Sequence, residues 1–125
     1  MSHPYQYVVL RYVPRVDRGE CLNVGVVLHS QSAGVLRCAW HVDADRLRVL
    51  DPQLDVAGLE ASLGAVDRMC STPPEETDAL LATQGKRFGW LAAPRSTVLQ
   101  PGPVHGGAAD DPAAEADRLL DRLVR

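Results

Sequence analysis

Two runs of strict alternation, Cys21 to His29 and Val35 to Val42, flank the turn residues Ser30-Gln31-Ser32-Ala33-Gly34. Nothing else in the chain constrains its fold as much, because a short Ser/Gly turn between two period-two runs closes an antiparallel hairpin. In the first run Leu22, Val24, Val26 and Leu28 fall on one face, and Cys21, Asn23, Gly25, Val27 and His29 on the other. In the second, Leu36, Cys38, Trp40 and Val42 alternate with Val35, Arg37, Ala39 and His41. An earlier run, Tyr5 to Tyr12, is rich in aromatic and β-branched residues and predicts a further strand. Neither of its faces is wholly polar, so it is expected to be central or covered on both sides. Pro14 and Gly19 make the segment between these strands a loop.

Beyond the hairpin the period changes. Asp43 can cap a short helical turn carrying Leu47 and Leu50. Asp51-Pro52 then predicts the start of a longer helix, with Leu59, Leu63, Val66 and Met69/Cys70 as its apolar stripe. Ser71-Thr72-Pro73-Pro74 ends that helix, and Glu75-Glu76-Thr77-Asp78 reads as a solvated acidic connector. Arg87 to Ala92 and Ser96 to Gln100 predict short late strands, and the Pro- and Gly-rich stretch Pro101 to Gly107 a loop. Asp110-Asp111-Pro112 announces a last helix with Ala116, Leu119, Leu120, Leu123 and Val124 on one side. The expected fold is one α+β domain over residues 1–125. An antiparallel sheet, the N-terminal three-stranded meander plus one or two late strands, packs against a central helix and a C-terminal helix.

Composition narrows the function classes. No apolar run reaches the roughly 18 residues of a membrane helix, and the N-terminus has no signal-like core, so a cytoplasmic protein is expected. Three cysteines form no disulfide framework. The net charge of −3 weakens any long-range pull on nucleic acid. Cys21, Cys38, Cys70, His29 and His41 show no paired metal-ligand spacing, and there is no phosphate-cradling glycine loop or Gly-x-Ser-x-Gly elbow. Neither a metal nor a cofactor is expected. Phe88, Trp40 and Trp90 read as core residues rather than a base-stacking platform.

Two turns carry the candidate site. Arg18, Glu20 and Asn23 offer a donor fork, an acceptor and an amide, and Gly25 leaves room for a close approach. Arg95 and Ser96, with Thr97, form a second cluster suited to an oxyanion, and His105 is a titratable group in the Gly-rich stretch. Each also has an ordinary structural reading: a surface ion pair, a backbone-satisfying amide, a turn.

The pattern from Tyr5-x-Tyr-x-Val-Leu-Arg-Tyr-Val-Pro through Arg18-Gly-Glu-x-x-Asn-Val-Gly-Val-Val-Leu28 resembles an uncharacterised bacterial family, domain-of-unknown-function family 3037. Tyr7, Arg11, Arg18, Gly19, Glu20, Asn23, Val24, Gly25 and Val26 match its N-terminal signature, and the Arg87-Phe-x-Trp and Pro94-Arg-Ser stretches are also similar to it. The likeness covers nearly the whole chain and implies a family member with no appended catalytic domain. Family members are often encoded beside HipA-like kinases, so the resemblance implies a non-enzymatic accessory domain with a protein partner, a HipA-like kinase first. The alternative is a small enzyme or ligand-binding domain for a phosphorylated or carboxylated compound, which needs Arg18 and Arg95 to converge.

Overall fold

A computed structural model describes residues 2–71, 82–95 and 97–125. The chain runs β1 (His3–Tyr12), β2 (Leu22–Ser30), β3 (Val35–Trp40), α1 (Ala44–Leu50), α2 (Val56–Ser71), α3 (Gln84–Ala92), β4 (Leu99–Pro101), β5 (His105–Ala109) and α4 (Pro112–Leu123). The expected α+β architecture is present: β1, β2 and β3 form an antiparallel meander, with β4 and β5 both pairing to the free side of β1. That makes β1 the central strand and explains why neither of its faces could be polar.

Each face of the sheet has its own core. Val8, Leu10 and Tyr12 of β1 join Leu36 and Cys38 of β3 beneath α1, α2 and α3, which contribute Leu47, Leu59, Leu63, Phe88 and Leu91. On the opposite face Tyr5, Val26, Leu28 and Ala39 pack against Ala116, Leu119, Leu120 and Val124 on and just beyond α4. The two predicted stripes, on α2 and α4, are the surfaces the helices bury. No described helix is long and apolar enough to cross a membrane.

The alternation of β2 is not unbroken. Leu10 pairs with Gly25 but Arg11 pairs with Asn23, so Val24 is an extra residue. This β-bulge changes the facing partway along the strand, since an inserted residue offsets the period of two. Leu22 and Val24 therefore lie with the α2 core, whereas Val26 and Leu28 lie with α4. The four expected to share a face are divided two and two.

Three other expectations are corrected. Asp51 is the residue after α1, not the cap of the long helix, and the carboxylate that accepts from Gly58 N (3.0 Å) at the start of α2 belongs to Asp55. Both acids precede plausible helix starts, and spacing cannot choose between them. Residues Arg87 to Ala92 are helix, not strand: Thr83 caps α3 by accepting from Lys86 N at 3.2 Å, and Phe88 and Leu91 are buried one turn apart. A run of this length satisfies both periods, and burial decides. Finally, Pro101 ends β4 and His105, Gly106 and Gly107 belong to β5, although the stretch was expected to be loop. Tyr5 makes the last of these possible. A Cβ on Gly107 would sit 2.5 Å from the Tyr5 hydroxyl, so the tyrosine ring occupies the space that a side chain would fill. The acidic connector Glu75 to Asp78 lies outside the described residues.

Tyr12 ties the sheet to α1, its hydroxyl donating to Asp51 Oδ2 at 2.6 Å. Burial, and then that hydrogen bond, push its pKa up to about 12. The folded chain thus holds this proton more tightly than the unfolded chain does. Its contribution to stability is complete below the ordinary value of 10.0 and is lost as pH rises toward 12. Tyr12→Phe should be about 1 kcal/mol less stable at neutral pH and lose stability less steeply above about pH 10. Urea denaturation at neutral and alkaline pH checks this, and parallel pH profiles for the two proteins would refute it.

Candidate functional site

The loop between β1 and β2 builds a groove against α1. Pro14 interrupts the strand, after which the N–H groups of Arg18 and Gly19 both donate to Arg15 O at 3.1 Å. Gly19 closes this turn at φ 72°, in the left-handed region where a side chain is strained. The turn projects Arg15 and Arg18 into solvent, where Arg15 lies 3.7 Å from Asp17 and Arg18 pairs with Glu20.

Opposite the loop stands the last turn of α1. A cavity of about 460 Å³ is lined by Pro14, Arg15, Arg18, Glu20 and the segment Val49 to Gln53. A second, of about 610 Å³, is lined by Glu20, Cys21, Leu22, Arg46, Val49 and Leu50. They share Glu20, Val49 and Leu50, so a charged and an apolar cavity adjoin along that wall. Val49 is 87% exposed at the shared wall. Leu47 takes the buried side of α1, and the period of the helix turns Val49 outward. The sequence already contained that signal, a valine off the Leu47/Leu50 stripe.

The other predicted residues separate. Asn23 is held inward: its Nδ2 donates to Leu123 O at 3.1 Å, while Arg46 donates to Val124 O at 2.6 Å. Together they satisfy carbonyls that the end of a helix leaves without partners. Gly25 sits where a Cβ would meet Ala39 O at 3.1 Å, Trp40 Cβ at 3.2 Å and Leu10 Cδ1 at 3.4 Å. A hydrogen bond to the end of α4 thus accounts for Asn23, as the backbone-satisfying reading of that amide has it, and close packing accounts for Gly25.

Arg95 lies 4.3 Å over the Trp90 ring and donates to the Trp90 carbonyl. Trp90 itself is 49% exposed, not a core residue. Ser96 lies outside the described residues. His105, on exposed β5, packs its ring 5.3 Å from that of Tyr7. Among the described residues, Arg95 lines neither of the two cavities beside α1.

A different groove escaped the sequence reading because α3 was taken for a strand. Gln6 and His29 are direct cross-strand partners and line two adjoining cavities, one completed by Pro4, Tyr5, Gln31 and Ser32, the other by α3 and Val104. His29 is stacked on Phe88 at 5.7 Å, and burial lowers its pKa, which keeps the imidazole neutral at pH 7. Among the described residues no three His, Cys, Asp or Glu side chains gather closely enough to hold a metal ion. Cys70 and Cys38 are buried, and burial raises both thiols, Cys70 to about 12, so neither is a nucleophile at neutral pH.

Comparison with known proteins gives one match. The family model described as Protein of unknown function (DUF3037) covers residues 7–124, nearly the whole chain. No curated protein and no solved structure matches.

Proposed function

The chain belongs to the DUF3037 family of proteins of unknown function, and we propose that it is a partner-binding domain whose contact surface is the groove between the β1–β2 loop and α1. The exposure of Val49 carries this reading: a valine at 87% exposure forms the wall shared by an apolar and a charged cavity. Interfaces combine a small apolar centre with a polar rim, and Arg is enriched in them. The rim here is made of exposed ion pairs, Arg15–Asp17 and Arg18–Glu20. Such pairs contribute about 0–1 kcal/mol each, so a partner can exchange them for its own at little cost.

A HipA-like kinase, the partner that the family resemblance suggests, is the one to test first. Co-purification of the two proteins should be lost, a drop of at least about tenfold in affinity, on combining Val49→Asp with Arg18→Ala. Arg37→Ala, which breaks the exposed pair with Asp117 on the other side of the sheet (3.0 Å), should leave it intact. Undiminished binding by the folded double variant would overturn the assignment of this surface.

A second reading rests on Arg15 and Arg18 lining one cavity. Two guanidinium groups suit a small phosphorylated or carboxylated ligand. Calorimetric titration with inorganic phosphate and with acetate tests it, and absence of heat in both ends it.

A further inference from the structure

The sheet runs on past its helical cover at the end where β1 begins. Val8 and Val27 are fully buried on the α3 face. Two residues further along the same strands stand Gln6, which is exposed, and His29, which is half-buried. On the opposite face Tyr5 stays buried, its hydroxyl donating to Glu115 Oε2 of α4 at 2.8 Å. The uncovered patch therefore lies on the α3 face. Gln6 and His29 are cross-strand partners, so their Cβ atoms stand about 5 Å apart and the two side chains reach a common point. The two cavities that adjoin at this pair measure about 530 and 560 Å³.

Charge is absent from their walls. No described residue lining either cavity is Asp, Glu, Lys or Arg, in a chain where 23% of residues are charged. An ionised ligand would leave water here with no opposite charge to meet it, and that desolvation is costly. Hydrogen-bonding capacity, by contrast, is present and unused. Among the described residues neither the Gln6 nor the His29 side chain has a hydrogen-bond partner, and neither has its polar atoms sealed from the surface. Stacking on Phe88 at 5.7 Å orients the imidazole, and burial keeps it neutral. A neutral imidazole offers one donor and one acceptor, and the glutamine amide offers both as well. Side by side they match a flat ligand edge with a donor next to an acceptor, as in a carboxamide.

Room is left in front of the pair. Gly85 and Gly89, one turn apart on α3, line the second cavity, whose remaining wall includes the apolar Phe88, Ala92 and Val104. A Cβ on Gly89 would meet nothing within 4 Å, and one on Gly85 would make ordinary contact with His29 Cε1 at 3.7 Å. Packing therefore requires neither glycine, although each weakens the helix relative to alanine. Their effect is to leave the space beside His29 unfilled. We propose that the Gln6–His29 pair and the facing glycines of α3 form a binding site for an uncharged heteroaromatic amide, whose polar edge the two side chains hold.

Nicotinamide is a probe of that class, and nicotinate has the same outline with a carboxylate in place of the amide. At about pH 7.5 the nicotinate carboxyl is ionised. Nicotinamide should then shift the backbone amide NMR signals of Gly85 and His29 saturably, with a Kd in the millimolar range, and nicotinate should not. His29→Phe keeps a ring against Phe88 but has no ring nitrogen, and should weaken binding by at least about tenfold, read on the Gly85 signal. Gly89→Leu fills the open space and should abolish the shift while the melting temperature holds or rises, since leucine favours a helix over glycine. Absence of a saturable shift with nicotinamide, an equal response to nicotinate, or wild-type affinity in both variants would overturn the proposal.

Discussion

Gly25→Val should destabilise the protein by about 3 kcal/mol, through overpacking of a site that cannot expand. The nearest obstacle to a new side chain is the Ala39 carbonyl, 3.1 Å from the Cβ position, and that is backbone in a hydrogen-bonded strand. Trp40 Cβ at 3.2 Å is equally fixed, and only Leu10 Cδ1, at 3.4 Å, can yield by a rotamer change. Two more methyl groups also fall beside the Val24 bulge, where β2 already changes facing, so the strand cannot relieve the clash by sliding in register. Denaturant midpoints measure the effect. A change below about 0.5 kcal/mol, the ordinary range for surface positions, would show that the site has free space and that Gly25 is kept for something other than packing.

Asn23→Asp should cost about 2 kcal/mol at neutral pH, more than Asn23→Ala at about 1 kcal/mol. The amide now donates to Leu123 O at the end of α4. A carboxylate there would have no proton to offer, and its charge would face the negative end of the helix dipole. The two variants separate these effects. Alanine removes the bond alone, whereas aspartate adds a repulsion that disappears once the acid is protonated, below about pH 4. The excess cost of aspartate over alanine should therefore shrink on acidification. Equal stability of the two variants at pH 7 would mean that the helix end is indifferent to charge.

These outcomes also sort the residues that opened the functional question. Arg18, Glu20, Asn23 and Gly25 stand within eight residues of one another, and sequence proximity makes them look like one site. The β1–β2 loop and the bulge send them to three places. Arg18 and Glu20 reach solvent beside α1, Asn23 turns under α4, and Gly25 meets β3 and β1. Arg95 was expected to complete the group but is engaged with Trp90 at the end of α3. What completes the groove instead is Val49, on a helix whose existence was expected but whose outer face was not considered.

Local chemistry in the sequence determined a good deal. Alternation and a Ser/Gly turn established the β2–β3 hairpin, with Gly34 at φ 67° in its turn. Asp43 and Asp111 marked two helix starts, where each side chain accepts a backbone N–H of the first turn. The stripes of α2 and α4 were readable because a long helix repeats its apolar positions often enough to exclude other periods. Only the tertiary structure decided the rest. The bulge at Val24 has no local signature, since it records how β2 must shift to keep both of its faces buried. α3 is short enough to satisfy two periods and becomes a helix because Phe88 and Leu91 then reach the core. β5, with two glycines and two alanines, has almost no strand preference of its own. It is held by β1 and by the Tyr5 ring lying where a Gly107 side chain would be. Propensity belongs to a residue and its neighbours in the chain, whereas register, edges and grooves belong to pairs of residues that only folding brings together.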